Sequence, residues 1–455
     1  MQPYNPADNL TRRKLLQHSL GVAAAAGGLS VINAQGAVPP LPATSTTATA
    51  VTQPRTTVET DPQVLANDEV YWANIARDFD VNPDIINLEN GNWGIMSRPV
   101  LQRYGSHTEQ VNRDNSYYAR GEFGADYGHI LAQLAIVLGV TAAELTITRN
   151  ATEALQALVL GYQQLTAGDA LMFADLDYDS IQQTMRSHAQ QQGCAVVELS
   201  IPEPINTSRE LVAFYAQALD EHPEVRLLLL THVSHRTGLV MPVKEIAALA
   251  RQRSVDVIVD AAHSWGQIDF KLPDLDADFV GLNLHKWLGA PIGVGLMYVK
   301  AKRLSAIATN PSAGDWEAGR LSGRVHTGTM NYAAILSIPD ALDYHQYVGP
   351  ANKAARLRYL RDVWVSEVRD IPGLQILTPD IEGLSAGITS FRVTGVTTTE
   401  GNKHLAARLL AEHKVFTVHR NGVAAGACIR VTPSIYNTAD DCRTLARGLR
   451  KMLAS

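Results

Sequence analysis

The stretch Val255-Asp256-Val257-Ile258-Val259-Asp260-Ala261-Ala262-His263 decides the fold. Its first five residues are rich in β-branched side chains and then stop at a carboxylate. Such a run reads as an interior strand of a parallel sheet, buried on both faces. Outward from it the same grammar repeats. Val225–Thr231 (VRLLLLT), Phe279–Leu284 and Gly293–Val299 read as further strands, as do the earlier Ala170–Phe173 and Ala195–Leu199. Between and before them lie helical segments: Tyr127–Leu138 stopping at Gly139, Ala151–Leu165, Ser180–Gln192 and Val243–Arg253. Strands alternating with helices predict an α/β fold around a mostly parallel sheet. Ligands of such sheets sit beyond the carboxyl ends of the strands, where Asp260 and the segment Thr231–Gly238 fall. Past His326, a helix at Ala351–Val368 and short strands at Gly387–Val393 and Val415–Val418 predict a smaller C-terminal α+β domain.

Composition limits the functions. The chain has 455 residues, 46% hydrophobic and 18% charged, with a formal net charge of −6, so a large core is available and nucleic acid is not an expected partner. The three cysteines, Cys194, Cys428 and Cys442, form no CxxC pair and support neither a disulfide framework nor a structural zinc site. At the N-terminus, Thr11-Arg12-Arg13-Lys14-Leu15-Leu16 resembles a twin-arginine export signal. An Ala- and Gly-rich run from Leu20 to Ile32 follows, with small residues near Gly36. That run is too short for a stable membrane anchor. The expected division is a signal peptide over 1–37, a Pro/Thr/Ala-rich linker over 38–67, a large domain over 68–325 and a small domain over 326–455. Export through the twin-arginine machinery to the periplasm is the expected localisation.

The chemistry-bearing residues gather around the strand ends. Lys286, in Leu284-His285-Lys286-Trp287, follows a strand. A lysine with a lowered pKa is an imine-forming nucleophile, whereas most lysines in loops are simply solvated. Asp260 either caps the next turn or holds a proton on a pyridine ring nitrogen.

The stretches Val259-Asp260-Ala261-Ala262-His263 and Asn283-Leu284-His285-Lys286-Trp287 resemble the class V aminotransferase family of fold-type I, pyridoxal 5′-phosphate (PLP)-dependent enzymes, in its isopenicillin N epimerase-like branch. The resemblance spans roughly 87–449 and implies a large PLP domain, a small C-terminal domain and a homodimer. It also implies that Lys286 carries PLP covalently and is the catalytic base. Ala151 and Thr152, in Thr148-Arg149-Asn150-Ala151-Thr152-Glu153, would bind its phosphate through a helix N-terminus, unless this is only an ordinary cap. Tyr178 would stack on the ring, in a place where relatives often have His. His235, in His232-Val233-Ser234-His235, and His263 would approach the phenolic oxygen. Asn283 and His285 would approach the phosphate. Thr329, in Gly328-Thr329, would reach the phosphate held by a second subunit. Arg430 would grip the substrate carboxylate, unless it pairs with an acidic neighbour in the small domain. Asn92, in Glu89-Asn90-Gly91-Asn92-Trp93-Gly94, would lie on the substrate side, unless that segment is a simple turn. No metal is expected, because the two histidines of 232–235 have no third ligand.

The implied function is amino-group chemistry on an amine or amino acid. Exported relatives of the branch it resembles include enzymes that tailor side chains of peptide siderophores such as pyoverdine, so transamination or oxidative deamination of a secreted metabolite leads. An epimerase or lyase is the alternative, and a PLP-binding protein without turnover is a third. Arg420-Asn421-Gly422 is followed by Val423-Ala424-Ala425-Gly426-Ala427, without the cysteine a desulfurase needs on that loop.

Overall fold

The computed structural model describes residues 61–314, 317–325 and 328–454. The expected signal peptide, most of the linker and the domain boundary at 326 lie outside the described residues. The described chain falls in one compact unit.

The central sheet takes its strands from β2 (Leu145–Thr148), β3 (Ala170–Ala174), β4 (Ala195–Leu199), β5 (Val225–Thr231), β6 (Asp256–Ala261), β7 (Phe279–Asn283) and β8 (Gly295–Val299), in spatial order β2-β8-β7-β6-β5-β3-β4. Neighbours from β7 through to β4 pair in parallel, while β8 runs antiparallel to both β7 and β2. Both faces of this sheet are covered. Leu228 and Leu230 of β5 and Val257 and Val259 of β6 enter one apolar cluster. Leu227, Leu229 and Ile258 enter another on the opposite face. The strand period of two puts alternate residues on opposite faces, and helices on each side make both apolar.

A second, antiparallel sheet, in spatial order β12-β13-β10-β9, comprises β9 (Leu374–Ile376), β10 (Thr389–Val393), β12 (Val418–Arg420) and β13 (Cys428–Val431). Helices Pro350–Val368, Thr399–His413 and Ala439–Leu453 pack on it through Trp364, Leu409 and Leu445. The remaining pair is β1 (Ile86–Asn87) with β11 (Val415–Phe416), parallel. Val415–Val418, expected as a single strand, is thus two strands in different sheets. Val415 is drawn into the pairing with Ile86, and the chain then turns to lay Val418 against Arg430.

One helix end and one whole helix also differ from expectation. The helix expected over Ala151–Leu165 ends at Gly161, because Tyr162 forms a bridge with Ile307 and Gln163 donates to the carbonyl of Ala306. Helix Arg98–Arg120 had no forecast: it is largely polar and is interrupted at Asn115, whose φ is 45°. Among the described residues no helix is long and apolar enough to cross a membrane.

Candidate active site

The carboxyl ends of β5, β6 and β7 deliver Thr231, Asp260 and Asn283 to one end of the sheet. Helix Ala151–Gly161 starts there, with the Asn150 side chain accepting from the Glu153 N–H as its cap. Together they wall a cavity of about 580 Å³. All twelve residues singled out from sequence line it: Asn92, Ala151, Thr152, Tyr178, His235, Asp260, His263, Asn283, His285, Lys286, Thr329 and Arg430.

Lys286 follows β7, and its Nζ lies 2.9 Å from His263 Nε2. Burial lowers the Lys286 amine to about 7, helped by the guanidiniums of Arg430 and Arg420 and opposed by Asp260 and Glu89. The peptides flanking it are held from outside. Gly94 N–H donates to the His285 carbonyl at 2.8 Å, and Lys353 Nζ donates to the Trp287 carbonyl. His263 and His235 are driven well below the usual histidine range, first by burial and then by nearby positive charge. Both are therefore neutral at pH 7. Asp260 is pushed upward by burial, while the Ala262 N–H donates to its Oδ1 at 2.9 Å. Behind it, Asp177 is pushed up to about 7, again by burial, although the N–H groups of Ala174 and Thr231 donate to it.

Some placements differ in detail from expectation. The Ala151 N–H is taken by Asn283 Oδ1 at 2.8 Å, so Thr152 supplies the open N–H and hydroxyl at this helix start. His285 is tied back through Nδ1 to the Val294 carbonyl at 3.0 Å. Thr329, for which the resemblance implies a reach to a second subunit's phosphate, lines the cavity. Of the two neighbouring histidines, His232 turns away and packs its ring on Phe270, whereas His235 packs edge-on against Tyr178.

Three charged residues with no role assigned from sequence matter here. Glu89 Oε1 sits 2.5 Å from Arg430 Nη2 and 3.3 Å from Arg420 Nη2. Arg420 also lines the cavity. Lys353 is buried on helix Pro350–Val368, with its amine lowered to about 7 by burial. A lysine or glutamate in an amphipathic segment normally faces water, so only the packing exposes such roles. Arg430 does pair with an acidic residue, Glu89, which lies far earlier in the chain and bridges Thr432 beside it.

The donor set fits PLP. A helix N-terminus with an open N–H suits its phosphate, and the cavity is of cofactor size. Thr231, at the end of β5, also lines the cavity. A carboxylate and a nucleophilic lysine flank the space between.

The comparisons agree with this geometry. The model of the family described as aminotransferase class-V matches residues 98–445. An isopenicillin N epimerase of Amycolatopsis lactamdurans is 28% identical over 399 residues, covering 84% of this chain and 98% of that protein. The apo cysteine desulfurase of Thermococcus onnurineus NA1 superposes with a TM-score of 0.71 at 17% identity, covering 84% of this chain and 98% of that one. The cystine C–S lyase C-DES gives 0.69 at 22% identity, covering 80% and 97%. A mutant of C-DES holds glycine covalently linked to its PLP cofactor. With the strand-end Asp260, the lysine after β7 and the helix N-terminus facing them, the chain belongs to the aminotransferase class-V family of PLP-dependent enzymes.

Proposed function

We propose that this enzyme removes the α-proton of an amino-acid substrate and then completes an epimerisation or a β-elimination. The observation that carries the proposal is the Lys286 amine, held near neutrality 2.9 Å from His263 in a cavity that also contains Arg430. When bound, PLP supplies an electron-withdrawing ring that stabilises negative charge on the carbon bearing the amine. Asp260 would hold a proton on the ring nitrogen, and Thr152 would donate to the phosphate. Lys286 would hold the cofactor and, as a free amine, would take the α-proton, a role suited to a base with a pKa near the working pH. His263, 2.9 Å away, keeps that amine in place. Arg430 would orient the substrate carboxylate.

The names of the relatives favour this outcome over transamination or oxidative deamination: one is an epimerase and another a C–S lyase. Persulfide-forming desulfurase chemistry has poor support. The only cysteine near the Arg420–Ala427 loop is Cys428, which is buried in β13 with its thiol pushed up to about 11 by burial. Epimerisation needs a second proton carrier, for which Tyr178 and His235 are the cavity-lining candidates. Incubation of the holoenzyme with candidate amino acids in deuterated water tests the proposal. Expected are deuterium at the α-carbon of the inverted product and of recovered substrate for epimerisation, or released ammonia and a keto acid deuterated at its β-carbon for elimination. Accumulation of the aminated cofactor in step with keto acid, without free ammonia or inverted product, would restore transamination.

A homodimer and twin-arginine export of a siderophore-type tailoring enzyme are proposed alongside, on the strength of the family resemblance and of Thr11–Leu16. Changing Arg12 and Arg13 to Lys is expected to trap the precursor in the cytoplasm, and normal delivery to the periplasm would refute export.

A further inference from the structure

We infer that Glu89 is a specificity-determining residue that restricts the site to amines bearing a single carboxylate near the reacting carbon. The inference rests on the carboxylate role proposed above for Arg430.

Arg430 is not open on both arms. Its Nη1 donates to the His235 carbonyl at 2.9 Å, and its Nη2 donates to Glu89 Oε1 at 2.5 Å. Its Nε is buried without a partner, and Gly91 packs so closely that a Cβ there would sit 2.7 Å from Nη2. Arg420, the second guanidinium on this wall, shares the same Glu89 oxygen at 3.3 Å. Glu89 is not placed by its side chain alone. Its residue bridges Thr432, with Thr432 N–H donating to the Leu88 carbonyl at 2.8 Å and Asn90 N–H to the Thr432 carbonyl at 3.2 Å. Strand pairing therefore fixes the carboxylate between the two arginines.

Two guanidiniums and one carboxylate leave a local excess of one positive charge. The other charges nearby are already committed. Arg149 is bound to Glu153 and Asp179 to Arg236, while Lys286 carries the cofactor. One incoming carboxylate balances the excess. Glu89 can stay on Arg420 while Nη2 of Arg430 turns to the substrate. A second carboxylate on the substrate would meet Glu89 with no free cation, and like charges in a poorly solvated site repel strongly.

The test uses purified holoenzyme titrated with propanoate and with succinate, following heat and the visible cofactor band. Wild type is expected to bind propanoate at least about tenfold more tightly than succinate, and Glu89→Gln to erase or reverse that ratio. Glu89→Gln keeps the shape and a hydrogen-bonding oxygen. Arg420→Gln provides an independent arm, because it lowers the excess to zero and should weaken propanoate about tenfold. An unchanged ratio in Glu89→Gln, or unchanged propanoate affinity in Arg420→Gln, overturns the inference. Arg430→Gln separates the two levels. If it binds propanoate like wild type, the carboxylate role of Arg430 fails and the charge count fails with it. If it loses propanoate while Glu89→Gln leaves the ratio intact, only the inference about Glu89 fails.

Discussion

A guanidinium that is always charged and presents a planar fork is matched to a carboxylate in a way that an ammonium is not. Arg430 has that fork, buried and braced by Gly91 and the His235 carbonyl. Arg430→Lys keeps the charge but loses the second arm, and Arg430→Ala loses both. Removing a charge-assisted contact to the substrate costs on the order of 2–4 kcal/mol, which is roughly 30- to 1000-fold in kcat/KM. Steady-state kinetics with a carboxylate-bearing substrate should show that loss, with the cofactor absorbance preserved. Wild-type kcat/KM in Arg430→Ala would make Arg430 a partner of Glu89 and nothing more. At this scale the sequence was legible wherever a residue type is chemically unusual for its place: a strand-end aspartate, or a lysine after a buried strand. Glu89 and Lys353 were not, because each is an ordinary charged residue whose role arises from contacts with segments far along the chain, Arg430 for one and Trp287 for the other.

At the level of elements, the decisive arrangement is the docking of the 89–94 loop onto the turn that carries Lys286. Gly94 lies so close that a Cβ would come within 1.9 Å of the Lys286 carbonyl oxygen and 2.9 Å of its carbonyl carbon. Both are backbone atoms, so no flexible side chain can give way. Gly94→Ala must therefore push the two segments apart, at a cost of about 1–3 kcal/mol for overpacking. A lowered Tm together with reduced cofactor content after purification is expected. A variant with wild-type Tm and full cofactor would show that the loops are not coupled. The strands of the central sheet were readable because a continuous apolar run such as Val225–Thr231 has few alternatives, and its limits match the observed strand. The polar helix Arg98–Arg120 carries no comparable signal, and the split of 415–418 depends on a pairing with Ile86 that no local pattern encodes.

The whole molecule holds many histidines in their neutral form. Burial lowers His232 to about 4 and His345 to about 3, and it also depresses His188, His235, His263 and His285. An unfolded histidine titrates near 6.5. Below that pH the unfolded chain binds more protons than the folded one, so stability falls as pH drops from about 6.5 toward 3. Asp177, pushed up to about 7, and Asp260, also raised, work in the opposite sense, since the folded state keeps protons the unfolded state releases. Among the described residues His419 is also lowered and Asp343 also raised, both first by burial, so seven depressed histidines outweigh three raised aspartates. Urea unfolding should therefore give a lower free energy at pH 5 than at pH 7, and a flat or inverted profile would contradict the burial of these rings.

The central claim is that Lys286 carries the cofactor. Its amine, lowered to about 7, is mostly neutral and nucleophilic above that pH and protonated below it. Reconstitution of the apoprotein with PLP, followed by borohydride reduction and peptide mapping, measures the claim directly. The expected result is a pyridoxyl group on Lys286 alone, formed at a rate that rises through about pH 7 and then levels. A pyridoxyl group on Lys353 or another lysine, or no covalent adduct at saturating PLP, would contradict it.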